Sequence, residues 1–283
     1  MSGAATDGVV RVLLTGDTHL GFDTPRRPRV ERPRRGPDFL ASFRRALAPA
    51  TRGEVDLVVH GGDLFHRSGV PSGVIGAGLA ALEEVADAGV PVALVAGNHE
   101  RGRLPEPLLF RHPGFLVFDR PRTFALDVRG VRVALGGFPW LRRAGERFVA
   151  TARDTGLAEA PADVRLLCAH LAFEGAVVGA QDFVFRPGRD VVAGGALPDG
   201  LAALLSGHIH RGQLLRRDLG GRPLRCPVAY AGSTERTSWA ERFETKGYAR
   251  LAFAAGPAGG ALTDARFVPL PTPPLEAPRR RSA

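Results

Sequence analysis

The stretch "VVRVLLTGDTHLG" (Val9–Gly21) passes from an apolar run into a polar, glycine-containing loop within a single residue. "VVRVLL" (9–14) reads as a buried strand, and the loop begins where the strand ends. The same grammar recurs twice downstream. "VDLVVH" (55–60) runs into "HGGDLFH", and "VPVALVAG" (90–97) runs into "AGNHE". Between these runs lie two helical patterns, "DFLASFRRAL" (38–47) and roughly 72–88. Strand, helix, strand, helix, strand implies a parallel sheet with crossover helices. In open α/β sheets ligands collect at the carboxyl ends of the strands. The three polar loops therefore lie where a site would be built.

The second half is richer in short strands. "FLVF" (115–118), "TFALDV" (123–128), "VRVALGG" (131–137), "VRLLCAH" (164–170) and "LAALLSG" (201–207) come first. "QLLRRDL" (213–219), "PVAYAG" (227–232), "YARLAFA" (248–254) and "ALTDARFVPL" (261–270) follow. Arg129-Gly130 between two alternating runs marks a hairpin turn. A second, mixed sheet packed on the first fits this pattern better than a separate domain. We therefore expect an α/β (α+β) domain over residues 1–270. Residues 271–283 are Pro- and Arg-rich and are expected to be a disordered tail.

Of 283 residues, 44% are hydrophobic, ample for a sizeable core. The formal charge of +9 points to an anionic partner. All of the 38 basic residues except Lys246 are arginine, a bias that genome composition can explain. Its physical consequence stands regardless, because arginine offers a planar fork of donors suited to phosphate. Cys168 and Cys226 show no CxxC spacing, and Cys168 reads as a small buried hydrophobe. The N-terminus lacks a basic region followed by an apolar core, and no apolar run approaches the ~20 residues of a membrane span. A cytoplasmic protein is the expectation. "TPRRPRVERPRRGP" (24–37) is too proline-dense for a helix. It is either a solvated loop or a basic arm that touches nucleic-acid phosphates through Arg26, Arg27, Arg29, Arg32, Arg34 and Arg35.

Five strand-end loops supply Asp17 and His19, Asp63, Asn98 and His99, His170, and His208 and His210. Singly, each has a mundane reading: an Asp after a strand is usually a turn former or cap, and a lone His is usually structural. Together, five of the eight histidines and two aspartates occupy equivalent strand-end positions. The donor count suits two divalent ions. Imidazole and carboxylate together favour Mn2+, Fe or Zn over Ca or Mg. Asp63 is the natural bridge between two ions. Ions ~3.5–4 Å apart can share a hydroxide and clamp an in-line displacement at phosphorus. His99, beside Asn98, is placed to serve as the proton donor or charge stabiliser at the leaving oxygen.

These residues, in this order, resemble the calcineurin-like metallophosphoesterases. The pattern D-x-H … G-D … G-N-H-[DE] … H … G-H-x-H is present as "GDTH", "GGD", "GNHE", "AH" and "GHIH". The resemblance implies a four-layer αββα sandwich of two mixed β-sheets flanked by helices. It implies that Asp17, His19, Asp63 and His210 hold one metal, that Asp63, Asn98, His170 and His208 hold a second, and that His99 is catalytic. His208 and His210, on one side of an extended segment, would then serve different ions, with Ile209 turned into packing. "GDTHLG", "GGDLFHRSGVPS", "SGHIHRGQ" and "YAGSTERTSWAERFETKGY" are similar to SbcD-type DNA repair exonucleases. That closer resemblance gives His66 a supporting role, orienting His99 through a hydrogen bond. It implies DNA as a partner, as substrate of an exo- or endonuclease, and leaves room for a homodimer. SbcD-like chains normally continue into a DNA-capping domain and a segment that binds an SMC-like ATPase. The fold read here ends near residue 270, which puts that ATPase partner in question. The stretch 173–192 is an insertion whose role the sequence does not give, with a roof over the site as one option.

Two other functions compete with a DNA phosphodiesterase. A phosphoesterase for small or cyclic nucleotides would show arginines scattered over the surface, where a nuclease needs a basic stripe leading to the site. A non-catalytic scaffold would have lost a ligand or His99, and neither loss has occurred.

Overall fold

In a computed structural model that describes residues 8–23, 34–106 and 111–275, the first apolar run forms β1 (Val9–Thr15). Side chains alternate along it. Val10, Val12 and Leu14 face one hydrophobic layer, while Leu13 faces another. The first sheet comprises β1, β2 (Leu57–His60), β3 (Val92–Val95), β4 (Phe115–Phe118), β15 (Gly247–Ala254) and β16 (Ala261–Pro269). Its order is β16-β15-β1-β2-β3-β4. The run from β1 to β4 is parallel, and β15 and β16 add an antiparallel edge. The second sheet comprises β5 (Arg122–Val128), β6 (Val131–Gly137), β7 (Val164–His170), β12 (Ala203–Gly207), β13 (Gln213–Arg217) and β14 (Pro223–Tyr230). Its order is β13-β14-β12-β7-β6-β5.

The two sheets pack face to face through Val12, Leu14, Val59, Val95 and Phe118 of the first against Val133, Leu135, Leu166, Cys168 and Leu205 of the second. Helices α1 (Gly36–Thr51) and α2 (Ser72–Asp87) cover the first sheet's outer face with Phe39, Phe43, Leu82 and Val85. Helix α3 (Ala144–Arg153) covers the second with Phe148 and Ala152. The layers are α, β, β, α, as the resemblance implied. Each fully buried Val, Leu or Phe contributes roughly 1.5–3 kcal/mol, so the inter-sheet layer anchors the strand ends that carry the polar loops.

Several elements depart from the sequence-based expectation. Helix α1 starts at Gly36, with Pro37 in its first turn where a missing N–H costs nothing. Helix α3 follows Arg143 in a left-handed conformation with no side-chain cap, so no capping signal announces it. Strands β4, β15 and β16 join the first sheet although they lie in the strand-rich second half. Strand β15 pairs with β1 from Val9 to Leu14 and covers an edge that would otherwise be open. The insertion 173–192 is built from the two-residue strands β8 (Ala172–Phe173), β9 (Val177–Val178), β10 (Phe183–Val184) and β11 (Val191–Val192). Both cysteines are buried free thiols. Among the described residues, no helix is long and apolar enough to cross a membrane.

Candidate metal centre

The loops after β1 and β2 continue side by side beyond their strands. Asp17 N–H donates to Gly62 O (2.9 Å), His19 N–H to Asp63 O (3.0 Å), and Leu20 N–H to Leu64 O (2.8 Å). Along these zipped loops Asp17, His19 and Asp63 adopt left-handed backbone angles, φ 49°, 46° and 53°. His208, just past β12, has φ 86°. Such angles are uncommon outside glycine and persist only where the surroundings impose them. They gather here at the donor-bearing positions. The positive φ of His208 also means that His208-Ile209-His210 is a bend and not the extended segment expected. Ile209 is buried as anticipated.

The sheets meet at this edge through two glycines. Gly207 N–H at the end of β12 donates to Gly61 O just past β2 (3.1 Å). A Cβ on Gly61 would lie 2.6 Å from Gly207 N, so only glycine lets the two backbones approach this closely.

Around that contact the strand-end side chains form two groups. In one, His19 Nε2 lies 3.0 Å from His210 Nε2, and His210 Nε2 lies 3.8 Å from Asp17 Oδ1. In the other, Asn98 Oδ1 lies 2.9 Å from both His170 Nε2 and His208 Nδ1. Asp63 stands between them, with Oδ2 3.4 Å from His170 Nε2 and 4.0 Å from His19 Nε2. All seven sequence-predicted donors are thus brought to one place. Asp17, His19, Asp63 and His170 are almost fully buried, while His210 keeps some exposure.

Electrostatics follow from that burial. Burial, with some counterweight from His210 and His170, pushes the Asp17 carboxyl up. Burial works against the charged form of Asp63, but His170, His19 and His99 together outweigh it and hold Asp63 well below the usual carboxylate range. Burial opposes protonation of His170, yet Asp63, with Asp17 and the Gly61 carbonyl, outweighs it and lifts His170 to about 9. Burial, then the His170 charge, pushes His208 down to about 3. Burial and His210 hold His19 well below its ordinary value. Buried imidazoles that face each other and carboxylates at 3.0–4.0 Å fit a divalent cation between them. Three groups, Asp17 with His19 and His210, Asp17 with Asp63 and His170, and His19 with His66 and His99, each place donor atoms within 4.8 Å of one another.

His99 differs from the buried donors, with 36% of its side chain exposed. Its N–H donates to Asp63 Oδ1 (2.9 Å), and its ring Nδ1 lies 2.7 Å from the main-chain carbonyl of His66. The expected contact between His66 and His99 is present, but this hydrogen bond comes from the His66 backbone; the two rings lie 5.3 Å apart, centroid to centroid. The His66 ring stacks edge-on against Phe22 and adjoins a cavity of about 730 Å³ lined by Leu20, Phe22, Leu40, Val74 and Arg34.

Of the arginines expected in a basic arm, Arg26, Arg27, Arg29 and Arg32 lie outside the described residues. Arg34 pairs with Asp23, and Arg35 Nη2 lies 2.9 Å from Glu235 Oε1. The 173–192 insertion is tied beside the site by Arg211, which donates to Asp182 Oδ1 (2.5 Å) and Gly179 O (2.6 Å).

Three contributors were not singled out in the sequence. Glu100 accepts N–H bonds from Phe65 and Gly97 at 2.7 Å, and burial together with Asp63 pushes its carboxyl up to about 8. Its signal was its place in "GNHE". Glu241 Oε1 lies 3.2 Å from His210 Nδ1, and Glu241 Oε2 accepts from Lys246 Nζ at 2.6 Å. In sequence both look like surface charges; the hints were their place in "YAGSTERTSWAERFETKGY" and that Lys246 is the only lysine.

The model of the calcineurin-like phosphoesterase family matches residues 10–212, and the chain belongs to that family. A DNA double-strand break repair protein Mre11 of Haloferax volcanii is 45% identical over 97 residues, 34% of this chain and 20% of that protein. The Mre11 of Saccharolobus solfataricus is 23% identical over 232 residues, 80% of this chain and 55% of that protein. The matches thus span about half of those relatives' length or less. A dimetal phosphatase from Danio rerio has the same fold, with a TM-score of 0.51 at 13% identity, covering 87% of this chain and 93% of that one.

Proposed function

We propose that the chain is a dinuclear metal-dependent phosphodiesterase that cuts DNA. The observation that carries the reading is the convergence of seven nitrogen and oxygen donors from five strand ends on one point, with Asp63 between two groups. Asp17, His19, Asp63 and His210 would hold one ion; Asp63, Asn98, His170 and His208 would hold the other. Oxygen and imidazole donors without thiolate suit Mn2+ first, with Fe or Zn as alternatives. The Mre11 similarity supports DNA as the substrate.

When bound, two divalent ions supply Lewis acidity and a water nucleophile active at neutral pH. The chain's own residues do the rest. His170 donates Nδ1–H to Gly61 O at 2.8 Å, which fixes its ring with Nε2 toward Asn98 and Asp63. His208 N–H, 3.0 Å from Asp17 Oδ2, holds that carboxylate in place. The Nδ1 of His99 is committed to the His66 carbonyl, so its Nε2, 3.9 Å from Asp63 Oδ2, is the nitrogen that can hold a proton at the leaving oxygen. His66 would orient His99 through its main chain. Its partial exposure lets His99 reach a substrate that the buried donors meet only through the open edge.

Metal-reconstituted protein assayed side by side on linear DNA, circular DNA, nucleotides and bis(p-nitrophenyl) phosphate tests the reading. Cleavage of the diester and of DNA is expected. Activity confined to nucleotides would replace DNA with a small-molecule substrate.

A further inference from the structure

Lys246 is the single lysine in a chain that otherwise places arginine at every basic position, and it is fully buried. Its Nζ has three acceptors around it: Glu241 Oε2 at 2.6 Å, His210 O at 3.1 Å and Glu244 Oε2 at 3.2 Å. An ammonium has three N–H donors on one compact nitrogen, so this nest matches its donor count. A guanidinium spreads its donors over a planar fork and needs more room. A buried side chain with no exposed surface leaves no such room. Lysine stands where three acceptors converge on one point.

What Lys246 grips is His210, from both ends. It holds the His210 main-chain carbonyl, which also accepts from Ser233 N–H at 3.1 Å. Through Glu241 it reaches the ring, since Glu241 Oε1 lies 3.2 Å from His210 Nδ1. Thr237 and Ser238 hydroxyls donate to the same Oε1 at 2.7 and 3.0 Å. Without the ammonium, Glu241 would be a buried carboxylate short of its counter-charge, which is costly. Among the described residues nothing equivalent stands behind His170, whose outer nitrogen meets the Gly61 carbonyl.

We propose that Lys246 is a positioning residue: with Glu241 it fixes His210 so that Nε2 faces Asp17 and His19, and it thereby sets the affinity for one of the two ions. The proposal rests on the two-ion reading above. Outer partners of metal-binding histidines typically matter by about 10–100-fold in metal affinity. Lys246 and Glu241 should carry that effect at the Asp17–His19–His210 group and leave the Asn98–His170–His208 group unaffected.

Titration of metal-free protein with Mn2+, following the free ion by electron paramagnetic resonance, tests this in two backgrounds. Asn98→Ala should leave one ion at the His210 group, and His19→Ala should leave one at the other. Adding Glu241→Gln or Lys246→Arg should weaken the remaining ion about 10–100-fold in the first background and leave it unchanged in the second. Equal losses in both backgrounds, or no loss in either, would overturn the proposal. Thermal melting of the metal-free variants checks folding; should Lys246→Arg not fold, the near-isosteric Glu241→Gln carries the test. An unaltered chain that binds two ions but cleaves no phosphodiester would sink the hydrolase reading and leave this one standing. An unaltered chain that binds no Mn2+ would overturn both.

Discussion

The two donor groups meet at Asp63 yet are supported by different materials. His170 is held by main chain: its Nδ1 meets Gly61 O, and Gly61 is locked to Gly207 across the two sheets. His210 is held by charge: Glu241, Lys246 and two hydroxyls form a buried ionic cradle behind it. Backbone support comes with the fold, because it follows from where β2 and β12 end. Ionic support depends on Glu241, 31 residues further along the chain, and it is lost only if the segment around Glu241 is altered. The outer nitrogen of His170 is therefore met by main chain, and that of His210 by side chains that can be changed one at a time.

The strongest way to break this contrast is to remove what the groups share. Asp63→Asn should empty or weaken both groups together and lower phosphodiesterase activity by about 10⁴-fold or more, measured by Mn2+ counting and initial rates on bis(p-nitrophenyl) phosphate. His99→Ala lies next in size. It should keep both ions but lose roughly 10²–10⁴-fold in rate; full activity in this variant would remove His99 from the mechanism. Gly61→Ala attacks the main-chain support. A Cβ 2.6 Å from Gly207 N forces the sheet edges apart. The expected cost is about 1–3 kcal/mol in denaturant unfolding, with metal loss first on the His170 side. The smallest effect sharpens the comparison from the other side. Ser238→Ala removes one hydroxyl from Glu241 and should weaken only the His210-side ion, by about two- to tenfold.

Much of this was legible in the amino-acid sequence. The donors could be named because each closes an apolar run, and a strand's end is visible in sequence. Sheet membership was less visible: an apolar, alternating segment such as "YARLAFA" announces a strand but not its partner, so the return of β15 to β1 was hidden. Helix α3 lacked a capping residue to mark its start, and nothing in the sequence announced it. The left-handed angles at Asp17, His19, Asp63 and His208 follow from loop zipping that only the paired backbones reveal. Glu241 and Lys246 were hidden for the same kind of reason. Burial decides whether a charge is solvent-facing or structural, and burial is a property of the assembled layers. The expected hydrogen bond between His66 and His99 had the right residues and an unexpected donor–acceptor pair, because the chain turn after β2 aims the His66 carbonyl at the His99 ring.

Crystals soaked in Mn2+ and measured for anomalous scattering at the manganese edge test the central claim most directly. Two peaks are expected, one enclosed by Asp17, His19, Asp63 and His210, the other by Asp63, Asn98, His170 and His208. A single peak, or peaks away from Asp63, would contradict it.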